Sequence, residues 1–235
     1  MRNYLIYNGK NTLDFGIGIS GSGTFSAPKR DLETVNVPGR SGDLTLDNGR
    51  YNNITVTYPC YMYKDFAKNI DDFRAFLMSN VGYKRLEDTY HPEEYRMAYI
   101  GSDLSPKAYV LNRSGEFDLS FECMPQRFLK LGEIAITFEE NATMINPTFY
   151  DAAPLIRVYG NGMLGIGNNT ITISDVEDYV DIDCDIQDAY HEQQNYNSKI
   201  TLNSGAFPVL TPGENGISIS NGISKVEIIP RWWTL

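Results

Sequence analysis

Histidine, cysteine and positive charge are all scarce in this chain. Two histidines, His91 and His191, are the whole imidazole supply of 235 residues. That excludes His-rich metal centres and leaves little for His-based acid–base catalysis. The three cysteines, Cys60, Cys123 and Cys184, are odd in number and far apart. They show neither metal-ligand spacing nor a disulfide framework, and so read as thiols of a reduced, cytosolic assembly environment. Lys and Arg total 20 against 30 Asp and Glu, a formal net charge of −10. Duplex-DNA binders neutralise phosphates with Lys and Arg, so this balance argues against that class and against anionic membranes. No apolar run approaches the ~18–20 residues of a membrane span, and Met1–Lys10 has no apolar signal region. No G-x-S-x-G nucleophile elbow occurs, and adjacent carboxylates such as Glu93-Glu94 and Glu139-Glu140 suit a solvated surface better than paired acid and base roles.

What is present is β-patterning and aromatics. Hydrophobic residues make up 42% of the chain and charged residues 21%, enough apolar mass for a core without staples. Asn-Gly occurs five times, at Asn8, Asn48, Asn161, Asn215 and Asn221, and suits type I′ hairpin turns. Alternation with period two marks half-buried strands at Ile54–Tyr58, Phe117–Cys123 and Val180–Ile186, with shorter ones at Ile171–Ile173, Ile217–Ile219 and Val226–Ile228. One segment differs. Phe66, Ile70, Phe73 and Leu77 recur at helical spacing, and Gly82 supplies a stop, so a single amphipathic helix is expected over residues 64–81. Residues 83–100 read as an irregular excursion or extended hairpin outside the core. The aperiodic stretch 139–154, with Asn146-Pro147 and Ala153-Pro154, sets a domain boundary. The expected fold is mainly β with one amphipathic α-helix, in two β-sandwich-like domains, residues 1–139 and 140–235.

Other patterns are weaker. Gly16 to Gly21 matches G-x-G-x-x-G, but the following residues 22–28 do not open a helix, so a flexible turn is expected rather than a phosphate site. Asp181-Ile182-Asp183-Cys184-Asp185 begins like a calcium loop, yet Ile186 stands where such a loop needs Gly, and the alternation reads as a strand with one acidic face. His91 and His191 read as surface residues near turns. Of Trp232 and Trp233, neighbours on a strand, at most one packs inward; the other is exposed or lies in an interface. Catalytic, cofactor and metal residues are expected to be none.

A run of landmarks in order resembles the distal tail (Dit) protein family of long non-contractile-tailed bacteriophages. Val37-Pro38-Gly39-Arg40-Ser41-Gly42-Asp43-Leu44 resembles its early Pro-Gly-Arg turn. The single helix follows in place. Leu86-Glu87-Asp88 and Pro92-Glu93-Glu94-Tyr95-Arg96-Met97-Ala98 resemble the segment after the helix. Gly115 to Arg127, with Phe117, Phe121, Cys123, Pro125, Gln126 and Arg127, resembles the strand closing the first domain. Ala153 to Gly160 and Phe207 to Asn215 resemble parts of the second domain. The resemblance implies a structural, non-catalytic protein without cofactors. It implies a homo-hexameric ring, single or stacked, at the distal end of the tail. The N-terminal domain would form the ring and a galectin-like C-terminal sandwich the docking platform. The implied partners are the tail tube protein, the tail-associated tip protein and a baseplate or receptor-binding protein. No membrane is involved, and DNA passes through the ring without specific binding. The implied location is the virion tail tip, after assembly in the host bacterial cytoplasm. Some relatives carry an inserted carbohydrate-binding module, for which this second half has no room.

Ring contacts are head-to-tail and need two different complementary patches. The motif positions Pro38, Gly39, Arg40, Gly42, Pro92, Tyr95, Arg96, Phe117, Phe121, Cys123, Pro125, Gln126 and Arg127 are expected as ring or fold contacts, with Arg40 either pairing across a subunit contact or solvated in a local hairpin turn, and the aromatics between Tyr83 and Tyr99 are expected as exposed ring-contact residues. Acidic balance suits a channel wall over which DNA slides. The competing reading from the residues is a carbohydrate-binding, lectin-like β-sandwich, which needs a Trp or Tyr flanked by Asn, Arg and His.

Overall fold

A computed structural model describes residues 2–21, 23, 26–109 and 113–235. Two compact units emerge: residues 1–127 with Leu235, and residues 128–234. The expectation set the boundary at 139/140. The difference arises because residues 128–139 pair with the second unit: Ile136–Phe138 runs antiparallel to Ile223–Ile229, and the Leu129 N–H donates to the Trp232 carbonyl.

The first unit is one curled antiparallel sheet with a helix and a separate hairpin. The strands lie in the order Lys10–Asn11, Leu5–Tyr7, Lys84–Asp88, Glu94–Ile100, Ser114–Cys123, Ile54–Met62, Ile17–Ile19. The two longest, Ile54–Met62 and Ser114–Cys123, pair along their full lengths, Val56 opposite Phe121 and Cys60 opposite Phe117. Alternate residues of both point inward, as period two requires: Val56, Tyr58, Cys60 and Met62 meet Phe117, Leu119, Phe121 and Cys123 in one core. The helix Phe66–Ser79 (α1) closes that core with Phe66, Ile70, Phe73 and Leu77, all buried. Its aromatic seam continues through Phe15, tilted against Phe73 at 5.3 Å and stacked on Phe76 at 5.6 Å. Such ring pairs add roughly 0.5–1.5 kcal/mol beyond area burial.

Residues 83–100 correct their expectation. They are a hairpin, as one of the two readings had it, but they lie in the middle of the sheet, with Leu86 and Ala98 fully in the core. Their charges misled because they are satisfied by neighbours along and across the strands. Arg85 lies over the Tyr95 ring at 3.8 Å and pairs with Glu87, and Arg127 pairs with Glu94 at 3.0 Å. Among the Asn-Gly pairs, only Asn8-Gly9 has both residues at positive φ, as a type I′ turn demands. Asn48-Gly49 lies inside the strand Leu44–Tyr51, and Asn215-Gly216 inside Gly213–Ile219.

The second unit is a β-sandwich. One sheet runs Ile136–Phe138, Ile223–Ile229, Leu155–Gly160, Tyr179–Asp183, Asp188–His191, Gln194–Asn195. The other runs Ala142–Asn146, Gly213–Ile219, Gly162–Ile166, Asn169–Ile173, Ile200–Leu202. Inward residues of both sheets, Ile156, Val158, Val180, Ile182, Val226 and Ile228 against Leu164, Ile166, Ile171, Ile173 and Ile217, form one core. The described residues are mainly β with one α-helix and sandwich-like packing, as the patterning indicated.

Candidate functional site

The feature that stands apart is a hairpin arm of the first unit. Among the described residues, strands Arg30–Val35 and Leu44–Tyr51 pair only with each other, in a sheet of their own. Eight residues in the second strand give the arm a reach of roughly 25 Å. Its root is fixed by polar groups: Arg30 donates to Asp47 at 2.8 Å and to the Tyr51 hydroxyl at 2.8 Å, and Arg50 pairs with Asp31. Farther out the arm becomes apolar. Val35 is opposite Leu44 and Glu33 opposite Leu46. Opposite residues share a face, and so do residues two apart. Glu33, Val35, Leu44 and Leu46 therefore form one face, extended toward the tip by Val37. All four aliphatic side chains are exposed, Leu46 at 48%. Fully burying such a side chain is worth ~1.5–3 kcal/mol, and an unpaired flat strand edge is an association template. A face and two edges of this kind need a cover.

The motif residues Pro38, Gly39, Arg40 and Gly42 form the tip connection of this arm, all exposed. Gly39 and Gly42 have φ of 81° and 83°, in the left-handed region that L side chains rarely adopt, while nothing stands within 4 Å of where a Cβ would sit. Backbone conformation, not crowding, requires glycine there. The Arg40 N–H closes the turn on the Val37 carbonyl at 3.1 Å.

The remaining motif positions lie elsewhere. Phe117, Phe121 and Cys123 are core residues. Burial pushes the Cys123 thiol up to about 12. Arg96 is buried beside Cys123 and Tyr58, and desolvation pulls its guanidinium below the usual value. Tyr95 is half-buried under Arg85. Arg127 joins Glu94 and the main-chain oxygen of Leu235. Pro92 is exposed in a loop, and Pro125 and Gln126 follow the end of the strand Ser114–Cys123. Tyr83, Tyr90, Tyr95 and Tyr99, expected as exposed contact residues, are half-buried, and Tyr83 meets Tyr99 edge-on at 5.2 Å. The structure thus gathers Pro38 to Gly42 at one exposed tip and distributes the others through the fold.

A second surface of the same unit is an open groove of about 620 Å³ at the C-terminal end of α1, lined by Leu77, Met78, Val81, Ile100 and Leu104. Met78 and Val81 are exposed, Val81 at 83%. Sequence reasoning missed both the arm's aliphatic face and this groove. The alternation Val35, Val37 and Leu44, Leu46 around the turn is a legible strand signal, but no pattern says that the face lacks a cover.

In the second unit, the outer face of the first-named sheet gathers aromatic and charged groups. Arg157 donates to both oxygens of Asp181, at 2.7 and 2.8 Å, and lies over the Tyr179 ring at 4.2 Å. Arg231 makes the same forked contact with Asp183, at 2.6 and 2.8 Å. Both carboxylates are buried. They face away from the core, yet not toward solvent, which corrects the plain acidic face expected; Cys184 to Gln187 are a turn beyond the strand. His191 Nδ1 lies 2.9 Å from the Tyr179 carbonyl, with its ring 4.3 Å from that of Tyr179 and stacked on Tyr196. His91 is half-buried, 3.2 Å from Asp88. Trp232 is buried; Trp233 stacks on Tyr150 at 4.5 Å. In the Gly16 to Gly21 pattern, Ile17–Ile19 is a strand, and Ser22, Thr24 and Phe25 after it lie outside the described residues. No helix among the described residues is long and apolar enough to cross a membrane, and no cluster among them has the make-up of a metal site.

No family model and no curated protein matches the sequence. Solved structures match its fold, and the class they define is proteins of phage adsorption and baseplate assemblies. The Dit protein of phage SPP1, described as a paradigm of the hub adsorption apparatus in phages that infect Gram-positive hosts, matches over 100% of both chains, with a TM-score of 0.74 and 9% identity. Chains of the phage P2 baseplate in its activated conformation, with Ca and with Sr, match over 97% of both chains at TM-scores of 0.50 and 0.51 and 10% identity. At such identities the likeness is one of fold, and the chain is Dit-like in that sense.

Proposed function

We propose that the chain is a structural hub component of a phage tail. Six copies form a ring at the distal end of the tail, between the tail tube protein on one side and tip, baseplate or receptor-binding proteins on the other. The observation that carries this reading is the full-length match in fold to a tail hub protein. The exposed arm supports it, because an uncovered aliphatic face is what a self-associating chain keeps for its neighbour. On this reading the first unit makes the ring and the second, galectin-like, is the docking platform. The role is structural rather than catalytic, and the place of action is the virion. Light scattering on a size-exclusion column tests it. Six chains of 26.5 kDa give about 159 kDa, and images of that peak should show rings with a central hole. A chain that stays at 26.5 kDa at high concentration and beside candidate tail proteins would sink the proposal.

One observation favours the lectin-like reading: Tyr179 does lie between Arg157 and His191. Against it, the guanidinium is already forked onto Asp181 and the imidazole is engaged with a carbonyl. A sugar hydroxyl would have to displace bonds already made. A glycan array on the full chain separates the two readings, and the hub reading expects it to stay blank.

A further inference from the structure

The ring reading, on which this inference rests, requires two unlike patches per chain, and the first unit presents two that match. We propose that the aliphatic face of the hairpin arm of one copy seats in the groove at the C-terminal end of α1 of the next copy.

Shape, polarity and charge each support the pairing. The arm is a narrow two-stranded ribbon projecting its aliphatic side chains from a sheet of its own. The groove is open, about 620 Å³, and offers Met78 and Val81 to solvent above buried Leu77. Neither surface is a scattered exposed apolar residue of the ordinary kind; each is contiguous, and each is rimmed by polar groups, as association sites are. The charges are complementary. Glu33 lies beside the arm's aliphatic patch, opposite Leu46, and Arg40 at its tip. The groove is lined by one base, Arg74, and one acid, Asp103. The Arg74 contact within its own helix is an exposed pair with Asp71 at 3.1 Å, the kind that gives way readily to a new partner. A head-to-tail contact of this form leaves each copy with one arm used and one groove filled, and the series closes as a ring where the rotation between copies completes a full turn.

Disulfide trapping tests it on the full chain. Cys60, Cys123 and Cys184 are buried, with thiols pushed up to about 12, so they do not interfere. The variant carrying Leu46→Cys and Val81→Cys, oxidised and run without reductant, should give a ladder of covalent oligomers up to six, while each single variant gives none. A second pair, Leu44→Cys with Met78→Cys, guards against a register offset. Charge exchange supplies an independent readout. Glu33→Arg and Arg74→Glu should each weaken association about tenfold, and the double variant should restore it. All these positions are exposed, so the fold is retained, and circular dichroism checks it. A ring mass without cross-links in either pair, and without rescue by the double exchange, would overturn the groove assignment while leaving the ring standing. A monomer under every condition would overturn both.

Discussion

At the scale of single residues, the clearest gap between pattern and structure is at Asp181 and Asp183. Their alternation with Val180 and Ile182 identifies the strand, but alternation cannot say what covers the second face. The answer lies in distant residues, Arg157 and Arg231, brought over by neighbouring elements. Arg231→Ala should leave a buried carboxylate without its partner and cost about 2–3 kcal/mol, read as a lower midpoint in urea unfolding. The Arg231 guanidinium holds the Asp183 carboxyl below its usual value. A lowered carboxylate adds stability that is complete above the unfolded value, near pH 4, and is lost as pH falls through the folded value. The gap in Tm between the native chain and Asp183→Asn should therefore be constant above about pH 4 and shrink below it. The thiols give another residue-scale outcome. All three are buried and pushed up to about 12, and the thiolate is the reactive form. An alkylating reagent at pH 8 should modify none in the folded chain and all three after denaturation, with mass spectrometry as the count.

At the scale of elements, legibility tracks how local the cause is. Helix α1 was readable because Phe66, Ile70, Phe73 and Leu77 encode their own periodicity. Phe73→Ala should cost about 3–5 kcal/mol, since Phe73 touches both Phe15 and Phe117 inside the core. The hairpin of Lys84–Asp88 and Glu94–Ile100 was readable as a hairpin but not as the middle of a sheet, because Arg85, Glu87, Glu94 and Tyr95 look like surface until their partners in the folded sheet are known. The arm is the opposite case. Its Pro38 to Gly42 turn is conspicuous in the sequence, whereas its isolation from every other sheet is a property of the fold. Replacing both Gly39 and Gly42 by Ala puts Cβ atoms at φ of 81° and 83°, a strain of ~1 kcal/mol each. Because the arm pairs only with itself among the described residues, the expected effect is local. Amide exchange in residues 30–51 should rise while the melting temperature of the whole chain stays put, and self-association should weaken.

At the scale of the whole molecule, charge and apolar surface make opposing demands on assembly. Each chain carries a formal net charge of −10, so the proposed ring of six copies would gather about −60, and such like charge resists association until salt screens it. The arm's aliphatic face and the groove supply an attraction that salt does not screen. In the proposed contact Glu33 and Arg40 would sit at the rim, where ion pairs contribute least. Screening should therefore remove more repulsion than attraction, and self-association should tighten as salt rises from ~10 to ~150 mM. Sedimentation velocity over that range reads it directly. An assembly held chiefly by ion pairs would respond the other way, loosening with salt, and would shift the weight of the contact from the aliphatic face to Glu33, Arg40 and their partners. The same charge bears on the lumen. Duplex binding depends on neutralising phosphates, so the assembled protein should leave duplex DNA unshifted in a gel at ~150 mM salt. Retained DNA would mean that the few basic residues are concentrated on the inner wall, with the acidic excess turned outward.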